Sequence, residues 1–254
     1  MSHKRVVIVG ASSGLGRAIG IHLSQSGAQV ALLARRKDRL VDAAKEAGNG
    51  ALAIECDVTD ATSVTAAITE AAAGLGGIDA VVYASGVGPL IRIEDLDAET
   101  LNGSFATNVT GAHLVTAAAL PHLKAANGTM VYLSSVIGSH TEPWPGLAAY
   151  AVTKAALERL IQAWRIEHPD VGFTRVTVGD TSGGEGDSRT EFNDNWNREL
   201  MGQVYPTWVA RNYYSGTLFD SVELLRIVEM VVHTGASANI PVIVVQPRQP
   251  QLLK

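Results

Sequence analysis

Cysteine is almost missing from this chain of 254 residues. Cys56 stands alone, which excludes an intrachain disulfide and suits a reducing cytosol. At a strand end it reads as a small core residue, with a reactive thiol as the alternative. Basic residues are outnumbered, 20 against 25 acidic ones for a formal charge of -5, and the stretch Arg35-Arg36-Lys37 is too local to track a phosphate backbone. Nucleic acid is therefore excluded as the main partner. No apolar run approaches the ~18 residues of a membrane span, and the opening MSHKRVVIVGASSG reaches a glycine after too few apolar residues for a signal peptide. A cytoplasmic protein without a membrane partner is expected. The seven histidines, at positions 3, 22, 113, 122, 140, 168 and 233, lack both an H-x-x-x-H spacing and neighbouring cysteines, so no metal site is inferred. His140 alone sits near a candidate loop, where it either touches a substrate or has no chemical duty.

What the chain does have is apolar content of 46%, enough at this length for one large α/β domain over residues 1–254. Short β-branched runs alternate with Ala-rich stretches of helical period. RVVIV precedes a helix near 14–26, QVALLA one at 37–47, and ALAIEC one at 61–74 before AVVYA. Helical patterns near 97–126, 147–167 and 220–234 alternate with the strands GTMVYLSS, FTRVTV and PVIVV. This rhythm predicts a doubly wound parallel sheet of about seven strands flanked by helices. The strands are nearly all apolar, as both faces must then be covered. Gly27 and Gly48 to Gly50 read as helix stops, Asp60 and Asp97 as N-caps.

Residues 179–219 break the rhythm. The segment is rich in Gly, Asp, Asn and Ser and holds Phe192, Trp196, Tyr205, Trp208, Tyr213, Tyr214 and Phe219, half of the chain's Phe, Trp and Tyr. Either it is a lid over an apolar pocket, or its rings only pack the segment onto the domain or a second subunit.

Gly10-Ala-Ser-Ser-Gly14-Leu-Gly16 follows the first strand and opens the first helix. Glycines permit the turn, and free N–H groups at the helix start face an anion, for which a pyrophosphate is the natural occupant. In such folds the residue ending the second strand reads the adenosine ribose, and here Ala34 is followed by Arg35 in place of an acid. Arg35 would bind a 2′-phosphate. Charge-assisted bonds of ~1.5–3 kcal/mol then predict NADP(H) over NAD(H) by at least about tenfold to a hundredfold. Downstream, Tyr150 and Lys154 stand i, i+4 on a helix, their Cβ atoms ~5–6 Å apart. Acid/base work by a phenol at neutral pH calls for a shift of roughly three units from its usual value near ~10, part of which a neighbouring cation can supply.

These motifs resemble, in order, those of the short-chain dehydrogenase/reductases. They are VGASSGLG at 9–16, CDVTD at 56–60, YASG at 83–86, Asn108 in ATNVTGAH, Ser134-Ser135 in VYLSSVIG, and YAVTK at 150–154. The resemblance implies a nicotinamide cofactor touched by Gly10, Ser12, Ser13, Gly14, Leu15 and Gly16, with Asp57 and Val58 flanking the adenine and Ala84, Ser85 and Gly86 beside the cofactor. It also implies a catalytic tetrad of Asn108, Ser135, Tyr150 and Lys154. Tyr150 would protonate a carbonyl, Ser135 bond its oxygen, Lys154 lower the phenol's pKa and hold the nicotinamide ribose, and Asn108 anchor a water. Ser134 is the rival for the serine role. A non-catalytic NADP(H) sensor is the alternative function.

The chain departs from the family at Val9, where Thr is common, at Tyr83-Ala84-Ser85-Gly86, and at VTVGDTSGGEGDSRTEF. There a Pro-Gly step and a Thr that contacts the nicotinamide are usual, and Thr181 and Thr190 are both candidates. The ending NIPVIVVQPRQP also differs. Helices near 103–123 and 150–167 resemble the family's subunit interface and imply a homodimer or homotetramer. Trp144 and the lid rings suggest an apolar carbonyl or alcohol substrate.

Overall fold

The computed structural model describes residues 4–184, 186–214 and 216–248, so that His3 and the end of NIPVIVVQPRQP lie outside the described residues. Seven segments form one sheet: β1 (Arg5–Val9), β2 (Gln29–Ala34), β3 (Leu52–Glu55), β4 (Ala80–Tyr83), β5 (Thr129–Ser135), β6 (Gly172–Val178) and β7 (Val242–Val245). Every neighbouring pair is parallel, in the order β3-β2-β1-β4-β5-β6-β7. Successive side chains leave a strand on opposite faces, and here both faces are covered. Val6 and Ile8 pack with Ile19, Leu23, Leu40 and Val228. Val7 and Val9 pack with Ile68, Val115, Leu157 and Ile161. The continuous apolar runs read from the sequence are the direct result.

Helices α1 (Gly14–Gln25), α2 (Lys37–Ala47) and α8 (Ser221–Val232) cover one face. The other is covered by α3 (Ala61–Leu75), α5 (Gly111–Ala126) and α6 (Ala148–Glu167). Asp60 caps α3 by accepting the Thr62 N–H, and Asp97 caps α4 (Ala98–Phe105) by accepting that of Thr100. Strand order reverses between β1 and β4, which opens a crevice beyond their C-terminal ends.

Two features differ from the sequence reading. The pattern at 97–126 is divided, because a π turn at Ala106–Thr110 separates α4 from α5. The region 179–219 also contains a helix, α7 (Arg198–Ala210), whose Val204 and Trp208 pack with Leu90, Ile137, Trp144 and Leu147 in a third apolar cluster. The lid is pinched at its base: the Phe219 N–H donates to Asp180 O at 3.1 Å and that of Ser182 to Phe219 O at 3.2 Å.

Candidate active site

A cleft of about 1390 Å³ runs along the C-terminal ends of the strands and under the lid. Ser135 ends β5, and Tyr150 and Lys154 project from the first turns of α6, so β5 and α6 bring the three into one wall of this cleft. Lys154 is buried, lies 5.5 Å from the centre of the Tyr150 ring, and donates from Nζ to Leu133 O at 2.8 Å. Beneath them is Glu158, also buried; it accepts from Ser134 Oγ at 3.0 Å and pairs with Arg175. Successive β5 residues point to opposite faces, so Ser134 is directed at Glu158 while Ser135 is left for Tyr150.

Burial moves the two ionisable groups oppositely. It pushes the Tyr150 phenol up to about 12, against the bonding influence of the Ser135 hydroxyl. It brings the Lys154 ammonium down to about 8, against the attraction of Glu158. Desolvation of the phenolate is the largest influence on Tyr150, and the Lys154 Nζ is directed to a main-chain carbonyl.

Asn108 sits in the π turn, a local widening of the helix found often at functional sites. Its Oδ1 accepts the Val87 N–H, and its Nδ2 donates to Val87 O and to Thr153 Oγ1, all between 2.8 and 2.9 Å. Both amide hydrogens are engaged, clamping the 86–88 loop to α6. Gly86 faces this group: a Cβ there would lie 3.5 Å from Asn108 Oδ1 and 3.7 Å from Lys154 Nζ.

At the other end of the cleft, the turn from Gly10 to Gly16 folds tightly onto itself. Gly14 has φ +57°, and a Cβ on Gly16 would stand 2.3 Å from the Gly10 carbonyl oxygen, so neither position accepts a side chain without displacement. The cation joined to this turn is Arg36. Its guanidinium donates to Ser12 Oγ at 2.9 Å and Ser13 Oγ at 2.8 Å, and pairs with Glu191 of the lid, which also pairs with Arg39. Arg35 is exposed at the rim, near Asp57. Asp57 accepts the Thr59 N–H and hydroxyl, and these bonds hold its carboxyl below the usual range.

Residues 4–199 match the family described as short chain dehydrogenase. This chain belongs to that family. Among similar proteins, "11-beta-hydroxysteroid dehydrogenase-like 3" of Arabidopsis thaliana is 34% identical over 185 residues, 70% of this chain and 59% of the relative. An uncharacterized oxidoreductase of Myxococcus xanthus is 35% identical over 181 residues, 70% of each chain. The crystal structure of a short-chain type dehydrogenase/reductase from Mycobacterium marinum superposes with a TM-score of 0.80 at 26% identity, covering 96% of this chain and 94% of that one. The chain therefore spans 59% of the length of its Arabidopsis relative.

The short-chain dehydrogenase frame fits a dinucleotide. The helix start at Gly14, the Ser12 and Ser13 hydroxyls and the Arg36 guanidinium line one continuous wall with Ala84, Ser85 and Gly86, Leu15, Val58 and Asp57. Thr181 lies on the same wall, three residues past β6, while Thr190 packs against Gly14 at the phosphate turn. Thr181 is bridged to Phe219 at the base of the segment. Trp144 and five of the seven lid rings, Phe192, Trp196, Tyr205, Trp208 and Tyr214, line the cleft beyond Tyr150, while Tyr213 and Phe219 pack elsewhere; Phe192 lies 4.9 Å from the Tyr150 ring, and Trp196 donates to Gly88 O at 2.8 Å. His140 is exposed beside Ser139 and is not part of the lining. Cys56 is buried, its thiol pushed up to about 11 by burial and by Asp57. No helix among the described residues is long and apolar enough to cross a membrane.

Two participants escaped the sequence reading. Arg36 was visible only as half of an Arg-Arg pair, and its extended backbone at the start of α2 is what turns it toward the serines. Glu158 follows Lys154 by four residues, a spacing that places it on the same face of α6.

Proposed function

We propose that residues 1–254 act as one dinucleotide-binding unit with a lid at 179–219, an NADP(H)-dependent oxidoreductase that interconverts a carbonyl and an alcohol. The observation that carries this reading is the meeting of Ser135, Tyr150 and Lys154 in a cleft continuous with the glycine turn, with Asn108 buried behind its 86–88 wall. A bound nicotinamide supplies or takes up the hydride. Gly10 through Gly16, Arg35 and Arg36 would hold its phosphates, Asp57 and Val58 its adenine, and Ala84 to Gly86 with Thr181 the nicotinamide end.

Tyr150, protonated at neutral pH because its phenolate is poorly solvated, delivers its proton to the carbonyl oxygen. Ser135 bonds that oxygen as charge develops. Lys154 places a positive charge beside the phenolate that forms, and Glu158 keeps that ammonium charged in a buried position. Asn108 holds the 86–88 loop where the reacting groups meet.

An apolar substrate, such as a cyclic ketone, suits the wall of Leu90, Trp144, Phe192, Trp196 and Trp208. The name of the Arabidopsis relative points in the same direction. Parallel titration of the purified protein with NADPH and NADH at fixed salt tests the reading without a known substrate. NADPH binding at least about tenfold tighter than NADH is expected. Failure of both to bind would remove the reading.

A further inference from the structure

The lid does more than roof the substrate end. Between Arg189 and Phe192 it lies along the nucleotide half of the cleft, and each residue meets a group suited to a cofactor. Gly14 N–H, at the start of α1, donates to Arg189 O at 3.2 Å. Thr190 Cα stands 3.6 Å from where a Cβ on Gly14 would be. Glu191 Oε2 is 2.6 Å from Arg36, and its other oxygen pairs with Arg39. Phe192 lies against Tyr150. Because Arg36 also bonds Ser12 and Ser13, the Glu191 carboxylate is the anion joined to the phosphate-binding turn.

We propose that Glu191 is a specificity-determining residue that stands where a 2′-phosphate would stand, so that the lid's carboxylate and the phosphate compete for Arg36 and Arg39. The inference rests on the cleft being an NADP(H) site. A carboxylate and a phosphate are both acceptors of bidentate guanidinium bonds, and two anions on the same pair of arginines repel each other. A nucleotide bearing a 2′-phosphate must therefore release Glu191, whereas one with a free 2′-hydroxyl leaves the pairing intact. The apparent affinity for the 2′-phosphate nucleotide is the intrinsic affinity multiplied by the fraction of molecules in which the arginines are free of Glu191. The lid in this way narrows the preference for NADP(H) that the arginines alone would create, and couples release of 189–192 to the charge of the nucleotide.

The test needs no substrate. Calorimetric titrations of 2′,5′-ADP and of ADP are run on the wild-type chain and on Glu191→Gln, which replaces a half-exposed carboxylate by an amide of the same shape. The expected result is that the variant binds 2′,5′-ADP about tenfold more tightly, a change of about 1.4 kcal/mol, and ADP within about threefold of wild type. In the wild type, hydrogen exchange of 189–192 is expected to rise with 2′,5′-ADP and not with ADP. Equal tightening of both nucleotides, weaker binding of 2′,5′-ADP, or no change would overturn the inference while leaving the cofactor site in place. If neither nucleotide binds the wild type, the cofactor reading itself fails and the inference falls with it.

Discussion

At the scale of single residues, Tyr150 and Lys154 respond in opposite directions to burial. A phenol pushed up to about 12 is protonated throughout the neutral range, so in the proposed reaction carbonyl reduction would have its proton donor ready, whereas alcohol oxidation would need the scarce phenolate. The ratio of oxidation to reduction rates is therefore expected to rise with pH between 6 and about 8, measured with saturating cofactor. Lys154 keeps its charge below about 8 and loses it above, so reduction should fall as pH passes that value. Replacing Glu158 by Gln removes the charge that sustains the ammonium and should move this fall to lower pH; an unmoved profile would show that Glu158 only packs. The sign for stability is opposite. The folded pKa lies below the ordinary 10.5, so the burial penalty is complete below about 8 and is relieved as pH rises toward 10.5. Tyr150→Phe keeps the ring and its contact with Phe192, and is expected to lower turnover by about 10²–10⁴-fold with cofactor binding unchanged; retention of half the activity would end the assignment.

At the scale of elements, α6 and β6 are joined by the buried Glu158–Arg175 pair, with the Arg175 side chain 13% exposed and that of Glu158 5%. Removing one partner strands the other charge, at a cost of about 3–5 kcal/mol. Arg175→Met should show that loss in urea denaturation, with the midpoint lowered and the slope retained. Such pairs were out of reach of sequence reading, since Arg175 lies in a strand whose apolar pattern hides it. The sheet itself was legible because a strand covered on both faces must be apolar throughout, and all seven runs form strands. Asp60 and Asp97 were legible for a local reason, an acid just ahead of a helical period. The π turn was not, because Ala106–Thr110 carries the same residue types as the α-helices on either side. Nor was α7: Gly202 and Pro206 interrupt it, and of its thirteen residues only Val204 and Trp208 are buried, too few to set a period. The tetrad positions appeared as ordered motifs, but the Glu191 pairing joins residues 155 and 152 positions apart, a separation at which no local pattern exists.

At the scale of the whole molecule, α6 leaves Val152 and Ile166 exposed, at 51% and 81%, on the side away from the sheet. The expected homodimer or homotetramer would cover these side chains. Light scattering should then give a multiple of the 26.7 kDa chain mass, and Val152→Glu should lower that multiple without changing the fold; a wild-type monomer would refute the arrangement. The chain enters and leaves the lid at a narrow neck, where Asp180, Thr181 and Ser182 lie against Phe219 through a parallel bridge and two main-chain hydrogen bonds. The ends of the excursion are thus held side by side whatever lies between them, and the entropy of closing a flexible loop grows by only about 0.6 kcal/mol per doubling of its length. A segment of quite different length or composition grafted onto that neck would leave β6 and α8 where they are, so the roof of the cleft can be exchanged as one cassette while Ser135, Tyr150 and Lys154 keep their places on β5 and α6.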